Sequence, residues 1–327
     1  MIRHCSLLLA VFVCLALLPA RADAAAQPDY PAQWPASDVV FTVPFNPGSE
    51  TDQLFSLVRD AFGAKTGKTM TARHVAGKAG AHAWARMIDD APDGSVLTAV
   101  VLPDAYLRML QPDSGVNLDA MAICHIIASM PATLWTSSPD AFAAVTDIPN
   151  AAANGNFMIA GPGSYSAGQL AARALDRQLG IRTLYIPYTG TVTAAKAALN
   201  REAHLFWGYS VRVTVPGLEQ AVFKPLAVAA ANRLPALPEA PTFKELGLAV
   251  EESVSIGIAV PADTPEITRE EITEYFSALA NEPSFLAKLS ALGFVPQNIG
   301  MRDMPAFLAA MKQAANGKAE DFSLAEQ

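Results

Sequence analysis

Cysteine is scarce in this 327-residue chain. It has three, and two of them, Cys5 and Cys14, fall in an amino-terminal apolar run. Cys124 is left without a partner once that run is removed, which excludes a disulfide framework. Charge is sparse too: 17% of residues are charged, 23 basic against 31 acidic, for a formal net charge of −8. No basic run interrupts that balance, so nucleic acid and anionic lipid surfaces are excluded as partners. Neither G-x-x-x-x-G-K-[ST] nor G-x-G-x-x-G stands at a strand–helix corner, which argues against a phosphate-cradling loop. After the first two dozen residues no second long apolar stretch follows.

That first stretch, "MIRHCSLLLAVFVCLALLPARADA", has a short basic head at Arg3 and an apolar run from Cys5 to Leu18. Small residues at Ala20, Ala22 and Ala24 close it. This is the pattern of a secretory signal peptide cleaved after Ala22 or Ala24, and the run is too short for a membrane span. The expectation is an exported, periplasmic protein with residues 1–24 removed. Loss of Arg3, Arg21 and Asp23 takes the net charge to −9. The remainder is long enough for two domains, and 51% hydrophobic residues supply their cores.

Apolar runs and helix-period segments then alternate, which predicts α/β architecture. "VVFTVPF" reads as a strand, and Leu54, Leu57, Val58, Ala61 and Phe62 follow helical spacing behind the turn "NPGSETD". "FMIAGPGSYSAGQLAARALDRQLG" (residues 157–180) and "RTLYIPYTGTVTAAKAALNRE" repeat the strand–turn–helix order. Late in the chain, Thr264 and Pro265 are expected to cap a helix. No low-complexity linker divides the halves. Two lobes joined by strands crossing near residues 123–129 and 254–260 are therefore expected: residues 25–125 plus 256–327, and residues 126–255.

"SYSAG" lies one residue from the G-x-S-x-G elbow of hydrolases, but the chain lacks the rest of a triad. His204 is the only histidine after Ser166 and sits in an expected strand. Asp176 and Glu202 are not on a separate loop, and Ser164 replaces the first glycine of the elbow. Cys124 and His125 are adjacent in an expected strand and point to opposite faces, and His74 and His82 have no ligand partners at metal spacing. No enzyme activity, cofactor or metal is expected. What remains are three corners, "PFNPGSETD", "GPGSYSAGQ" and "YTGTVTAA", each with small and hydroxyl residues before a helix. Such corners offer N–H donors and partial positive charge to an anion. At strand carboxyl ends on both lobes, they predict a shared ligand cleft.

The chain resembles the periplasmic solute-binding receptors of tripartite tricarboxylate transporters, the Bug receptors. "VPFNPGSETD" is similar to that family's P-F-x-P-G-G-x-x-D turn, "GPGSYSAGQLAA" to its G-x-G-S turn, and "IPYTGTVTAAKAALN" to V-P-Y-K-G-x-x-P-A. "LAVAAANRLPALPEAPTFKELG" is similar to its L-A-V-T-x-x-x-R-x-P-x-L-P-x-x-P-T-x-x-E-x-G segment. The resemblance spans the mature chain and implies a type II periplasmic-binding fold closing on a small organic carboxylate. It implies delivery by a monomer to membrane permease subunits; a sensor or another exported partner is the alternative. Carried over by position, it points to Phe45, Gly48, Ser49 and Asp52 in lobe one, with Asp52 bracing the lobe or reading an amine. In lobe two it points to Gly163, Ser164, Tyr165, Tyr188, Gly190 and Thr191. That set requires no lysine or arginine. The chain departs from the pattern at Ser49, Thr189, Gln169 and Arg173, and at Trp207 and Tyr209 in "FWGYS". Trp207 joins the candidate site as a stacking surface for a flat acid, with a place in the lobe core as the alternative.

Overall fold

A computed structural model describes residues 34–318, apart from 112, 154 and 216, together with Phe322. The expected leader, 1–24, lies outside the described residues. In chain order the strands and helices are β1 (Val39–Val43), α1 (Glu50–Thr66), β2 (Met70–His74), α2 (Ala81–Arg86), β3 (Val96–Leu102), α3 (Asp104–Met109) and β4 (Met121–Thr136). Then come α4 (Ile148–Ala152), β5 (Met158–Gly161), α5 (Ala167–Leu179), β6 (Leu184–Pro187), α6 (Thr191–Leu199), β7 (Leu205–Tyr209) and β8 (Lys224–Val228). The chain closes with β9 (Ser253–Pro261), α7 (Glu266–Leu279), α8 (Pro283–Leu292), β10 (Val295–Gly300) and α9 (Met304–Lys318).

The long strand β4 organises the two lobes. From Met121 to Pro131 it pairs antiparallel with β9, and from Ala132 to Thr136 with β7 and β8. On one side the order continues β9-β3-β1-β2, on the other β7-β5-β6. β1 is parallel to β2 and β3, and β5 to β6 and β7, because each pair is joined through a crossover. One core, around Phe41, Leu54, Trp84, Val100, Ile256 and Phe276, fills the first lobe. Two smaller cores, around Trp207 with Phe243 and around Trp135 with Phe206, lie on the faces of the second sheet. The fold is α/β and two-lobed, with the carboxyl ends of β1, β3, β5 and β6 turning into helices.

Local chemistry explains the helices. α1 starts at Ser49, whose Oγ accepts the Asp52 N–H, carries Glu50 and Asp52 in its first turn, and ends at left-handed Gly67. Its face of Leu54, Phe55, Val58 and Phe62 is buried. α7 differs from expectation: it begins at Glu266 behind Pro265. The Thr264 N–H closes a turn onto the Pro261 carbonyl, and its hydroxyl is buried without a partner. Strand β10 was not expected either. Its Pro296-Gln297-Asn298 centre lacks strand character, and it is recruited by β4, where His125 Nε2 meets Asn298 Oδ1 at 2.8 Å.

Candidate functional site

The corners behind β1, β5 and β6 do meet, joined by a fourth behind β3. At the first, Asp52 Oδ2 accepts the Gly48 N–H at 2.8 Å, and Oδ1 lies 2.7 Å from His74 Nε2. Asp52 is thus a brace of its own lobe, and Ser49 is buried as the cap of α1. Gln53 donates across to the Arg212 carbonyl at 2.8 Å, and the Thr214 N–H reaches the Gly48 carbonyl at 3.4 Å. A Cβ on Gly190 would lie 3.5 Å from the Phe45 ring, so the first and third corners touch.

At the second corner, Ser166 caps α5: its Oγ accepts the Gln169 N–H at 3.2 Å and donates to the Gly163 carbonyl at 2.8 Å. It is fully buried, and its Oγ is engaged with Gly163, Gln169 and the Tyr185 hydroxyl. The Tyr165 N–H is taken by Gln169 Oε1 at 2.8 Å. The Ala167 N–H is taken by Asp104 Oδ1 at 2.9 Å, from the first residue of α3. Helix α5 is therefore capped by a carboxylate of the opposite lobe. Glu50, the first residue of α1, is likewise buried facing the third corner. Burial pushes its carboxyl up to about 7, opposed by backbone N–H groups of Glu50 and Tyr209 and by the Thr191 hydroxyl. Burial raises Asp104 to about 6, opposed by the Ala167 N–H, Arg108 and the Tyr209 hydroxyl. Phe45, Glu50, Asp104, Thr191 and Tyr209 surround a cavity of about 10 Å³, and Glu50 Oε1 has no partner there. These corners, expected to hold a ligand's carboxylate, are occupied by the chain's own.

A larger open cavity of about 750 Å³ lies beside them. Gly163, Ser164, Tyr165 and Tyr188 line it from the second lobe, Lys78, Arg108 and Gln111 from the first. Gly163 has φ of 131°, a conformation that favours glycine, and a Cβ there would lie 2.5 Å from Ala79 Cβ and 2.6 Å from an Arg108 Nη. Its bareness lets the arginine approach the second-lobe turn. Tyr165 stacks on Phe322 at 4.7 Å between ring centroids, and the Tyr188 hydroxyl donates to Glu202 at 3.2 Å.

Of the sequence-derived candidates, four line this cavity, and Phe45 and Thr191 line the small one. Gly48, Ser49, Asp52 and Gly190 shape the corners behind. Trp207 is a correction: its ring is fully buried, 5.7 Å from Phe243 and in the core under α5. Alternation along β7 puts Trp207 on the face opposite Phe206, in the core with Phe243. Tyr209, on the same face at the end of the strand, donates to Asp104 Oδ2 at 3.3 Å. The cationic pair Lys78 and Arg108 was missed, as were Glu50 and Asp104. "LPDAYLRM" carried a signal, an acid and a base one helical turn apart directly behind a strand. Among the described residues no group of three or more His, Cys, Asp or Glu is placed to hold a metal, and no helix is long and apolar enough to cross a membrane.

Residues 55–318 match the family model for the tripartite tricarboxylate transporter family receptor, TctC. The chain belongs to this receptor family. Among solved structures it is similar to the periplasmic binding protein BugD, with TM-score 0.78 and 22% identity over 90% of this chain and 99% of that one. MatC from Rhodopseudomonas palustris, solved with bound malate, gives TM-score 0.73 and 23% identity over 88% and 99%. R. palustris Rpa4515 with adipate gives 0.78 and 22% over 88% and 99%. At such identities these likenesses speak for the fold, that of the periplasmic binding proteins, and TctC is a receptor family rather than an enzyme class.

Proposed function

We propose that this TctC-family chain is an exported periplasmic receptor that captures a small organic carboxylate between its lobes and delivers it to the permease subunits of a tripartite tricarboxylate-type transporter. The observation that carries the reading is the open 750 Å³ cavity between the lobes, in the size range of small-ligand sites, with cationic Lys78 and Arg108 facing Gly163 and Ser164. Malate and adipate on two similar structures support the ligand class. The lobe boundaries at 125/126 and 255/256 fall within the shared strands β4 and β9, where a hinge would bend. Gly163, Ser164, Tyr165 and Tyr188 contact the ligand in this reading, and Phe45, Gly48, Ser49, Asp52, Gly190 and Thr191 set the two lobes around it. The receptor acts as a monomer without cofactor, and the leader is cut after Ala22 or Ala24.

Native mass spectrometry of protein purified from periplasm tests this. The expected result is a monomer lacking its first 22 or 24 residues and carrying a small organic acid that dialysis removes and purified acid restores. Full-length chain in the membrane fraction would refute export. A monomer that takes up no acid from a panel of mono-, di- and tricarboxylates would refute the receptor reading.

A further inference from the structure

Arg108 is a cation with an incomplete set of partners. It sits at the end of α3, lines the large cavity, and is only 5% exposed. One Nη donates to Gln111 Oε1 at 2.9 Å, while Nε is buried without a partner. The nearest acid in sequence, Asp104 one turn earlier, attracts the guanidinium through space but makes no hydrogen bond to it, its oxygens being committed to the Ala167 N–H and the Tyr209 hydroxyl. Among the described residues no carboxylate forms an ion pair with Arg108. Lys78 adds a second positive charge to the same cavity, its Nζ donating to the Asp113 backbone carbonyl at 3.2 Å. The acid on that wall, Asp113, is exposed.

A buried guanidinium keeps its charge, and an unpaired buried charge is unfavourable unless an anion completes it. The α5 end, which would otherwise receive an anion in this cavity, is already answered by Asp104 and by the side chains of Ser166 and Gln169. We infer that Arg108 is the anchor and specificity-determining residue for the ligand: its guanidinium fork takes the ligand's carboxylate, in place of the α5 N-terminus. This rests on the receptor reading above and assigns its recognition chemistry to one side chain. Planar two-point pairing suits arginine and carboxylate, and lysine in its place supplies charge without the fork. Gly163 belongs to the same device, since any side chain there would displace the guanidinium.

Calorimetry on the mature chain decides it, with succinate, malate, adipate, citrate and benzoate as probes and the neutral amide of the best-bound acid as control. In wild type the acid binds and the amide does not. Losing two charge-assisted hydrogen bonds in Arg108→Gln is expected to weaken the acid by about 10²-fold or more and to shrink the preference for acid over amide. Arg108→Lys is expected to lose about tenfold while keeping part of that preference. A purely structural Arg108 would leave the acid–amide preference intact. Should Arg108→Gln fail to fold, Arg108→Lys decides by the same comparison. Wild-type affinity and acid preference in a folded variant would overturn the anchor and leave the receptor reading standing. No binding of any probe by wild type would overturn the anchor together with that reading.

Discussion

Replacing Glu50 by glutamine isolates what the self-capped corner costs. Glu50 is 4% exposed, with Asp104 of α3 and Tyr209 of β7 as its ionisable neighbours across the small cavity. Burial raises its carboxyl from 4.5 to about 7. At about 1.4 kcal/mol per pH decade, the folded state holds that proton roughly 3 kcal/mol more tightly than the unfolded chain. The folded chain binds more protons between those two values, so stability is greatest at the acidic end and falls as pH rises through about 7. Asp104, raised from 3.8 to about 6, falls in the same direction over a lower window. Glutamine keeps the shape without the charge, so Glu50→Gln should match wild type near pH 4.5 and exceed it at pH 8 by up to roughly 3 kcal/mol. Urea unfolding of both proteins at several pH values between these limits reads the difference directly, with the Asp104 contribution largely cancelling. An increment independent of pH, or a wild type that gains on Glu50→Gln as pH rises, would refute the assignment of the cost to a buried ionised Glu50.

Two further outcomes follow from packing. Trp207→Ala empties a fully buried site against Phe243 and should lower stability by about 3–5 kcal/mol; a cleft role is recovered only if ligand affinity falls at an unchanged melting temperature. Ser166→Ala removes the cap of α5 and should cost about 1 kcal/mol in thermal unfolding. An unchanged melting temperature would refute the capping role, and loss of a measurable turnover would revive the nucleophile.

The alternation of apolar runs with helical periods was readable because each corner is local: Ser49 caps α1 and Ser166 caps α5 within three residues of sequence. Family motifs placed the second-lobe turns at Gly163, Ser164, Tyr165 and Tyr188, four residues that do line the large cavity. β10 and the start of α7 were less legible, because a neighbouring strand and a turn at Pro261, rather than propensity, decide them.

What the sequence by itself determined is therefore the fold class, the receptor family and the location of the corners, since each rests on short-range pattern. Tertiary structure alone decided which groups occupy those corners. Asp104 reaches Ala167 across 63 residues, and Glu50 lies beside Thr191 and Tyr209 only after the two halves of the sheet are joined through β4. It also decided that Trp207 faces the core and that Arg108 lies in a cavity with its Nε unanswered. The physical reason is that burial and partner supply for a charge or a ring depend on elements distant in the chain, whereas caps, turns and periodicity do not.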